Sequence, residues 1–439
     1  MLDKLKYIYS SVRAENFKVL RFIPDRMLFG SSYGKFKKEI SFDKKIVAKN
    51  LLGILDYSRK HTSYGIENIP KDFSVNEVFD VLNILPVITS NDLSNNLDYF
   101  QSKEFNKYNS YYTTTGGSGR NPTNVLLSNE SFGIEWAHIH HIWNVSGYNK
   151  RLHPKLTLRG NPLECKKLFE FNPIYNEYVV NTYKMSQDNF HVFFDLIIKK
   201  GIKYIHGYPS LLKEFCNYAI NGNFKLKIDG VFLGSEGLSV NDRSVLKDFL
   251  KGEIVSWYGQ TEKVILAQDF VGNNKYKVFT SYGYPTIHNA NENNFGEILG
   301  TTFVNKALPL INYSTGDFGS LIEKENSIYL ENIKGRWGKD FIYLTSNKKI
   351  STTTLNLHSL IQKEILFYQI HQKEYGKINI KILPKKSTHL SAEQIVDIFK
   401  KEFKIKLDDF EIDYKIIESS KEILRSIRGK MIMLVQEIR

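Results

Sequence analysis

Apolar residues recur at helical spacing over Ile46–Arg59, at Ile46, Leu51, Leu52, Ile54 and Leu55, and the run breaks at His61–Gly65. Val75–Leu85 is a second such segment, stopped by Pro86. Both predict a helical lead-in over residues 1–110, packed on a larger unit. Ser128–Trp143 predicts a further helix, rich in aromatic and imidazole side chains. From Lys203 the period changes. Lys203–His206 reads as a short strand, Gly207–Ser210 ends it, and Pro209 stands near the first turn of a helix over Leu211–Ile220. Ile228–Leu233, Gly234–Ser239, Val240–Leu250 and Glu253–Trp257 then read as strand, turn, helix and strand, a βαβ pattern. Lys263–Phe270 resumes the apolar pattern, so Tyr258–Glu262 is predicted at the carboxyl edge of a sheet, where open α/β folds bind ligands. Gly296–Val304 and Ser327–Ile333 read as further strands.

After Gly335–Asp340 the pattern shifts to short elements: Phe341–Leu344, Leu355–Gln362, Leu366–His371, Ile378–Leu383, Ala392–Phe403 and Glu411–Ile417. The predicted fold class is α/β, with a large domain over residues 1–335 containing parallel sheet and a small α+β domain over 336–439. A chain of 439 residues suits more than one domain, at roughly 100–200 residues each.

Composition narrows the class. With 42% hydrophobic and 24% charged residues the chain reads as globular. Only Cys165 and Cys216 are present, which excludes a disulfide framework and an all-cysteine zinc site and suits a reducing cytoplasm. The amino-terminal residues lack the apolar core and cleavage site of a signal peptide, and no apolar run reaches the ~20 residues of a spanning helix. The formal charge of +13 suits nucleic acid, an anionic membrane surface or anionic small substrates. Its lysines are scattered, without a basic arm or a zinc-finger spacing, so nucleic acid is not the expected partner.

Four stretches carry candidate chemistry. In Tyr111–Pro122, Thr114, Thr115, Gly116, Gly117, Ser118 and Gly119 offer hydroxyls and backbone N–H groups to a polyphosphate, and Arg120 adds a positive charge. The Gly-Lys-Ser/Thr ending of a Walker loop is missing. In Tyr258–Glu262, Tyr258 offers a flat face, Gly259 close backbone approach, Thr261 a donor to phosphate and Glu262 a hard oxygen ligand for Mg²⁺. Asp317, after Gly316, could accept hydrogen bonds from a ribose diol. His138, His140 and His141 invite a metal reading, but no HExxH arrangement accompanies them, and pocket wall or core suits them better. Near the carboxyl end, Arg425–Lys430 holds cations around Gly429, a loop able to present Lys430 to an anion.

Taken in order, these pieces resemble the adenylate-forming enzymes (acyl-CoA synthetases, luciferases and peptide-synthetase adenylation domains), most closely the phenylacetate-CoA ligase and capsular-polysaccharide CapK-like branch. The resemblance runs over nearly the whole chain. Thr114–Pro122 is similar to the family's phosphate loop, Gly234, Ser235 and Glu236 to its adenine-side loop, and Tyr258-Gly259-Gln260-Thr261-Glu262 to its Tyr-Gly-x-Thr-Glu motif. Ser314–Asp317 resembles its Thr-Gly-Asp ribose motif, Gly335-Arg336 the start of its hinge, and Arg425–Lys430 the segment with its catalytic lysine. Two places depart from the pattern. Gly117 stands where the family places a hydroxyl residue, and the hinge aspartate falls on Lys339, with Asp340 one later.

The resemblance implies ATP and Mg²⁺ as cofactors, a small-molecule carboxylic acid as substrate, and an acyl-adenylate as product. The acyl acceptor would be coenzyme A in the phenylacetate branch, or a sugar hydroxyl or amine in the CapK-like branch. Trp136, His140, His141 and Tyr208 are the candidate acid-pocket residues by position. A catalytically silent nucleotide-binding relative and a basic nucleic-acid-binding protein are the alternatives.

Overall fold

The computed structural model describes residues 14–114, 124–159, 167–182, 184–238, 240–335, 341–343, 349–351, 364–386, 388–407, 410–425 and 431–438. Helix α1 (Val47–His61) buries Val47, Leu51, Ile54, Leu55 and Ser58, positions that share one helical face. That face joins a core holding Ile298, Ala307, Leu310, Tyr313 and Leu330, so the lead-in packs on strands from much later in the chain. Strands β1 (Ser110–Thr114) and β2 (Asn124–Ser128) pair antiparallel, and Ser128 caps the following helix α2 (Asn129–Asn144) by accepting from the Ser131 N–H at 3.1 Å.

The next strands enter one twelve-stranded sheet: β3 (Lys155–Leu158), β4 (Phe169–Asn172), β5 (Glu177–Val180), β6 (Tyr204–Gly207), β7 (Gly230–Leu233), β8 (Glu253–Gly259), β9 (Leu266–Asp269), β10 (Tyr276–Val278), β11 (Gly283–His288), β12 (Phe295–Thr302), β13 (Tyr313–Lys324) and β14 (Ser327–Lys334). Their order is β11-β12-β13-β14-β10-β9-β8-β7-β6-β3-β5-β4. The pairs β3–β5, β3–β6, β6–β7 and β7–β8 are parallel, and from β8 to β9 the sheet turns antiparallel. Helices α3 (Phe190–Lys200), α4 (Pro209–Asn221) and α5 (Val240–Leu250) form the connections around β6, β7 and β8. The βαβ unit read from sequence is present, with β7 and β8 as parallel neighbours in register Leu233↔Ser256.

Two local differences bear on the site. β8 continues through Tyr258 and Gly259, beyond the predicted end at Trp257, because β9 folds back and pairs Tyr258 with Ala267 and Gly259 with Leu266. Asp317 lies inside the long strand β13. There the pairs Glu297↔Phe318 and Leu299↔Ser314 leave Ile298 opposite Thr315, Gly316 and Asp317, with Gly316 at φ +76°. This bulge lifts Asp317 out of the ladder, a device common beside active sites.

The carboxyl-terminal part is separate in topology. β15 (Phe341–Tyr343) pairs with β16 (Lys349–Ser351), and β17 (Ile365–Glu374), β18 (Lys377–Pro384), β19 (Glu411–Ile416) and β20 (Leu434–Gln436) form a four-stranded sheet in the order β19-β18-β17-β20. Helix α6 (Ala392–Leu407) contributes Ile395 and Phe399 to a core with Ile370, Ile378, Ile380 and Ile382. The predicted Leu355–Gln362 segment lies outside the described residues. The architecture is thus α/β with a large mixed sheet and a small α+β unit, as the pattern predicts. No described helix is long and apolar enough to cross a membrane.

Candidate active site

The turn Gln260–Lys263, between β8 and β9, opens into a cavity of about 1110 Å³. Its wall takes in residues from the carboxyl ends of β6 and β8, Arg159 just after β3, the loop after β7, one side of α2, Asp317 of β13, and Ile365–Tyr368 and Met431–Met433 of the small unit. Three stretches separated in sequence meet here. The Tyr258 hydroxyl donates to the Asp317 carboxylate at 2.9 Å. Glu262, 1% exposed, accepts from the Tyr313 hydroxyl at 2.9 Å. Glu236 accepts from the Ser210 N–H at 3.0 Å and its hydroxyl at 3.1 Å, tying the start of α4 to the loop after β7.

Close packing explains the glycine at the end of β7. A Cβ on Gly234 would stand 2.6 Å from the Trp257 ring, so only glycine lets that indole lie across the strand end. Ser235 (φ +70°) and Lys263 (φ +59°) hold left-handed backbone, at a cost of about 1 kcal/mol or more each. Lys263 is held there by an ion pair between its buried ammonium and Glu135 of α2. Beneath β8, Arg243 donates to the Ile254 carbonyl at 2.8 Å, the Ser256 hydroxyl at 2.6 Å and Asp269 at 2.8 Å, bracing both strands of the hairpin.

The side-chain amide of Gln260 lines the cavity. Both its nitrogen and its oxygen are buried and lack a hydrogen-bond partner among the described residues. A polar group entering the cavity could hydrogen-bond to both. A metal ion fits only in a particular way. Among the described residues no cluster of three His, Cys, Asp or Glu side chains could hold one. Glu262 could serve as a single carboxylate ligand while phosphate oxygens and water complete the shell, which is how Mg²⁺ is commonly bound.

The other residues singled out in sequence are distributed as follows. Tyr258, Gly259, Gln260, Thr261, Ser235, Trp136 and Tyr208 line the cavity. Thr114 ends β1 and is exposed. Thr115, Gly116, Gly117, Ser118, Gly119, Arg120, Arg336, Lys339, Asp340 and Lys430 lie outside the described residues. His140 and His141 are not among the lining residues. His140 is packed against Phe29 and Trp136 with Nδ1 2.8 Å from the Tyr33 hydroxyl, and His141 lies at the surface beside Phe42. Trp143, on the helix read from sequence as part core and part pocket wall, lines the cavity, and so do Arg159, His206, Trp257, Glu135 and Lys263, which sequence reasoning did not single out. His206 ends a predicted strand, and that position was the available signal.

Burial pushes the His140 imidazole down to about 4, with Asp25 opposing and Lys150, Lys155 and Lys37 adding to the effect. Burial likewise takes His138 to about 4. The unfolded chain, with histidines near 6.5, therefore takes up protons between about pH 6.5 and 4 that the folded chain refuses. Stability is expected to be complete above about pH 6.5 and to fall as pH drops through this window. Melting temperature followed against pH checks this, and the slope should shrink in His140→Gln.

No protein-family model matches the chain. In sequence it is 22% identical to Protein CapK of Staphylococcus aureus over 343 residues, 74% of each chain. In structure it is similar to 2-hydroxyisobutyryl-CoA ligase in the postadenylation state with R3-HIB-AMP, at a TM-score of 0.61 and 11% identity, covering 90% of this chain and 89% of that one. The same ligase with 2-HIB-AMP and CoA in the thioesterification state matches at a TM-score of 0.50 and 12% identity, covering 90% of each. Over most of its length the chain resembles CapK, and its fold is that of the adenylate-forming acyl-CoA ligases.

Proposed function

We propose that this chain is an ATP-dependent ligase that joins a carboxylic acid to AMP, releases pyrophosphate, and passes the acyl group to a nucleophile. The observation that carries this reading is the convergence of the Tyr258–Glu262 turn, the loop after β7 and Asp317 on one cavity. A free carboxylate is a poor acyl donor because oxide would have to leave. Attack of its oxygen on the α-phosphorus of ATP, with cleavage of the α–β phosphoanhydride bond, gives a mixed anhydride whose leaving group is AMP.

In this reading Tyr258 and residues 234–236 hold adenine, while Asp317 and Arg336 hold ribose. Thr261 donates to the α-phosphate and the Thr114–Gly119 loop wraps the β- and γ-phosphates. Glu262 would hold Mg²⁺, which when bound would supply positive charge against the phosphates. Lys430 would bridge the attacking carboxylate and the α-phosphate. Residues 1–335 form the AMP-binding unit and 336–439 a small unit that turns near 336–340. That small-unit residues close the cavity, and that the postadenylation structure matches better than the thioesterification one, supports a closed arrangement for adenylation. The acceptor is coenzyme A, or a sugar hydroxyl or amine.

Exchange of labelled pyrophosphate into ATP tests the first half-reaction without knowledge of the acceptor. Over a panel of aromatic, hydroxy- and amino acids, exchange is expected with at least one acid and none without acid. ATP binding without exchange for any acid would favour a silent nucleotide-binding relative, and absence of ATP binding would overturn the assignment.

A further inference from the structure

The charges lining the cavity are nearly all matched. Lys213 pairs with Asp242 at 2.8 Å, Lys275 with Glu331 at 2.8 Å, and Lys263 with Glu135. Glu236, Glu262 and Asp317 accept hydrogen bonds from Ser210, Tyr313 and Tyr258. Two lining cations make no ion pair among the described residues. Lys334 is exposed at the end of β14, over the Phe295 ring. Arg159 is partly buried, and it lies within the wall.

Arg159 follows β3 directly, and the register Leu158↔Gly207 with β6 sets it beside Tyr208. Its guanidinium stands 5.2 Å from the centre of the Tyr208 ring and 3.5 Å from the Tyr208 hydroxyl. The nearby Lys155 is already neutralised by Glu177 at 2.7 Å. His206, one residue before Gly207, is buried and stays uncharged, chiefly through that burial and further through Arg159 and Lys155. Trp136, Trp143 and Trp257 line the same cavity, and the Trp143 and Trp257 rings lie 5.0 and 6.0 Å from the His206 ring.

We propose that the acid taken by this cavity carries a second anionic group, and that Arg159 is the specificity residue that binds it. A planar guanidinium backed by an aromatic face, with no ion pair among the described residues and with its neighbour Glu177 already bound to Lys155, suits a carboxylate or phosphate oxygen pair, which it can meet with two parallel hydrogen bonds. The strand order β8-β7-β6-β3 puts the ends of β8 and β3 about 14 Å apart, three spacings of about 4.8 Å. Arginine's own reach shortens that span, so the second anion stands several bonds from the reacting carboxylate. Apolar or aromatic atoms of the acid between them face the tryptophans. The inference rests on the adenylation reading and names its substrate class.

The test uses the full-length protein and pairs of acids, each a linear or aromatic dicarboxylate and its monoamide. Pyrophosphate exchange is expected to favour the dianion at least 100-fold in kcat/KM. Arg159→Gln should remove that preference mainly through KM, with ATP affinity unchanged, and Arg159→Lys should restore part of it. Binding of the dianion, followed by quenching of tryptophan fluorescence, should weaken in step in Arg159→Gln and gives a readout independent of turnover. Equal use of dianion and monoamide by the parent, or an Arg159→Gln variant altered only in ATP binding or in acyl transfer to the acceptor, overturns the proposal while leaving adenylation intact. Absence of exchange with every acid overturns the adenylation reading, and this inference with it.

Discussion

Lys430→Ala is expected to lower carboxylate-dependent pyrophosphate exchange by a factor on the order of a thousand, about 4 kcal/mol of barrier, while ATP binding changes little. Adenylation brings a carboxylate against a triphosphate, and negative charge crowds around the α-phosphorus as the bond forms. A lysine placed between the two relieves that crowding most in the transition state, so its loss falls on kcat more than on KM. Lys430→Arg should recover little, since a planar fork does not replace a compact ammonium between two anions. The flanking chain is well placed for the role: Arg425 and Met431 form an isolated bridge, and Met431 lines the cavity. Exchange at the parent rate in Lys430→Ala would remove this residue from the mechanism.

Arg425→Ala is expected to release the small unit from α4. Its guanidinium donates to Glu214 at 2.9 Å, and the Glu214 carboxylate also accepts from Tyr218 at 2.9 Å and from Ser420. Both partners are buried, with side-chain exposures of 9% for Arg425 and 3% for Glu214. Removing one member of such a pair leaves the other charge desolvated and costs about 3–5 kcal/mol. The penalty is avoided if the small unit swings away and Glu214 meets water. The variant should therefore open the contact rather than unfold the chain, slow adenylation, and raise protease sensitivity in the region joining the units. Glu214→Gln should do the same, and the double variant Glu214→Gln/Arg425→Gln should cost less than the sum of the two. Additive effects would mean the pair does not couple the units.

The candidate site was legible in sequence where chemistry and local pattern coincide. Tyr258–Glu262 follows a recognisable strand, and Gly234–Glu236 ends another, so both could be placed at a sheet edge from periodicity alone. Asp317 was legible as a residue type but not as a bulge, because the bulge exists only in the pairing of β13 with β12. His140 and His141 misled in the opposite sense. Adjacent on one helix, they point to different faces, and helix packing sends one into the Tyr33 contact and the other to the surface.

Local sequence therefore set the strand, turn and helix units and the order of the ligand-bearing loops, since these depend on side-chain periodicity and on glycine and proline over a few residues. Which residues face one another was decided by the tertiary structure. Arg159 enters the cavity only because β3 lies beside β6, Lys263 is neutralised only because α2 brings Glu135 to it, and Glu214 meets Arg425 across 211 residues of chain. Such encounters arise from sheet order and packing of distant elements, and the energies they carry are those of burial and charge compensation, which no short window of sequence contains.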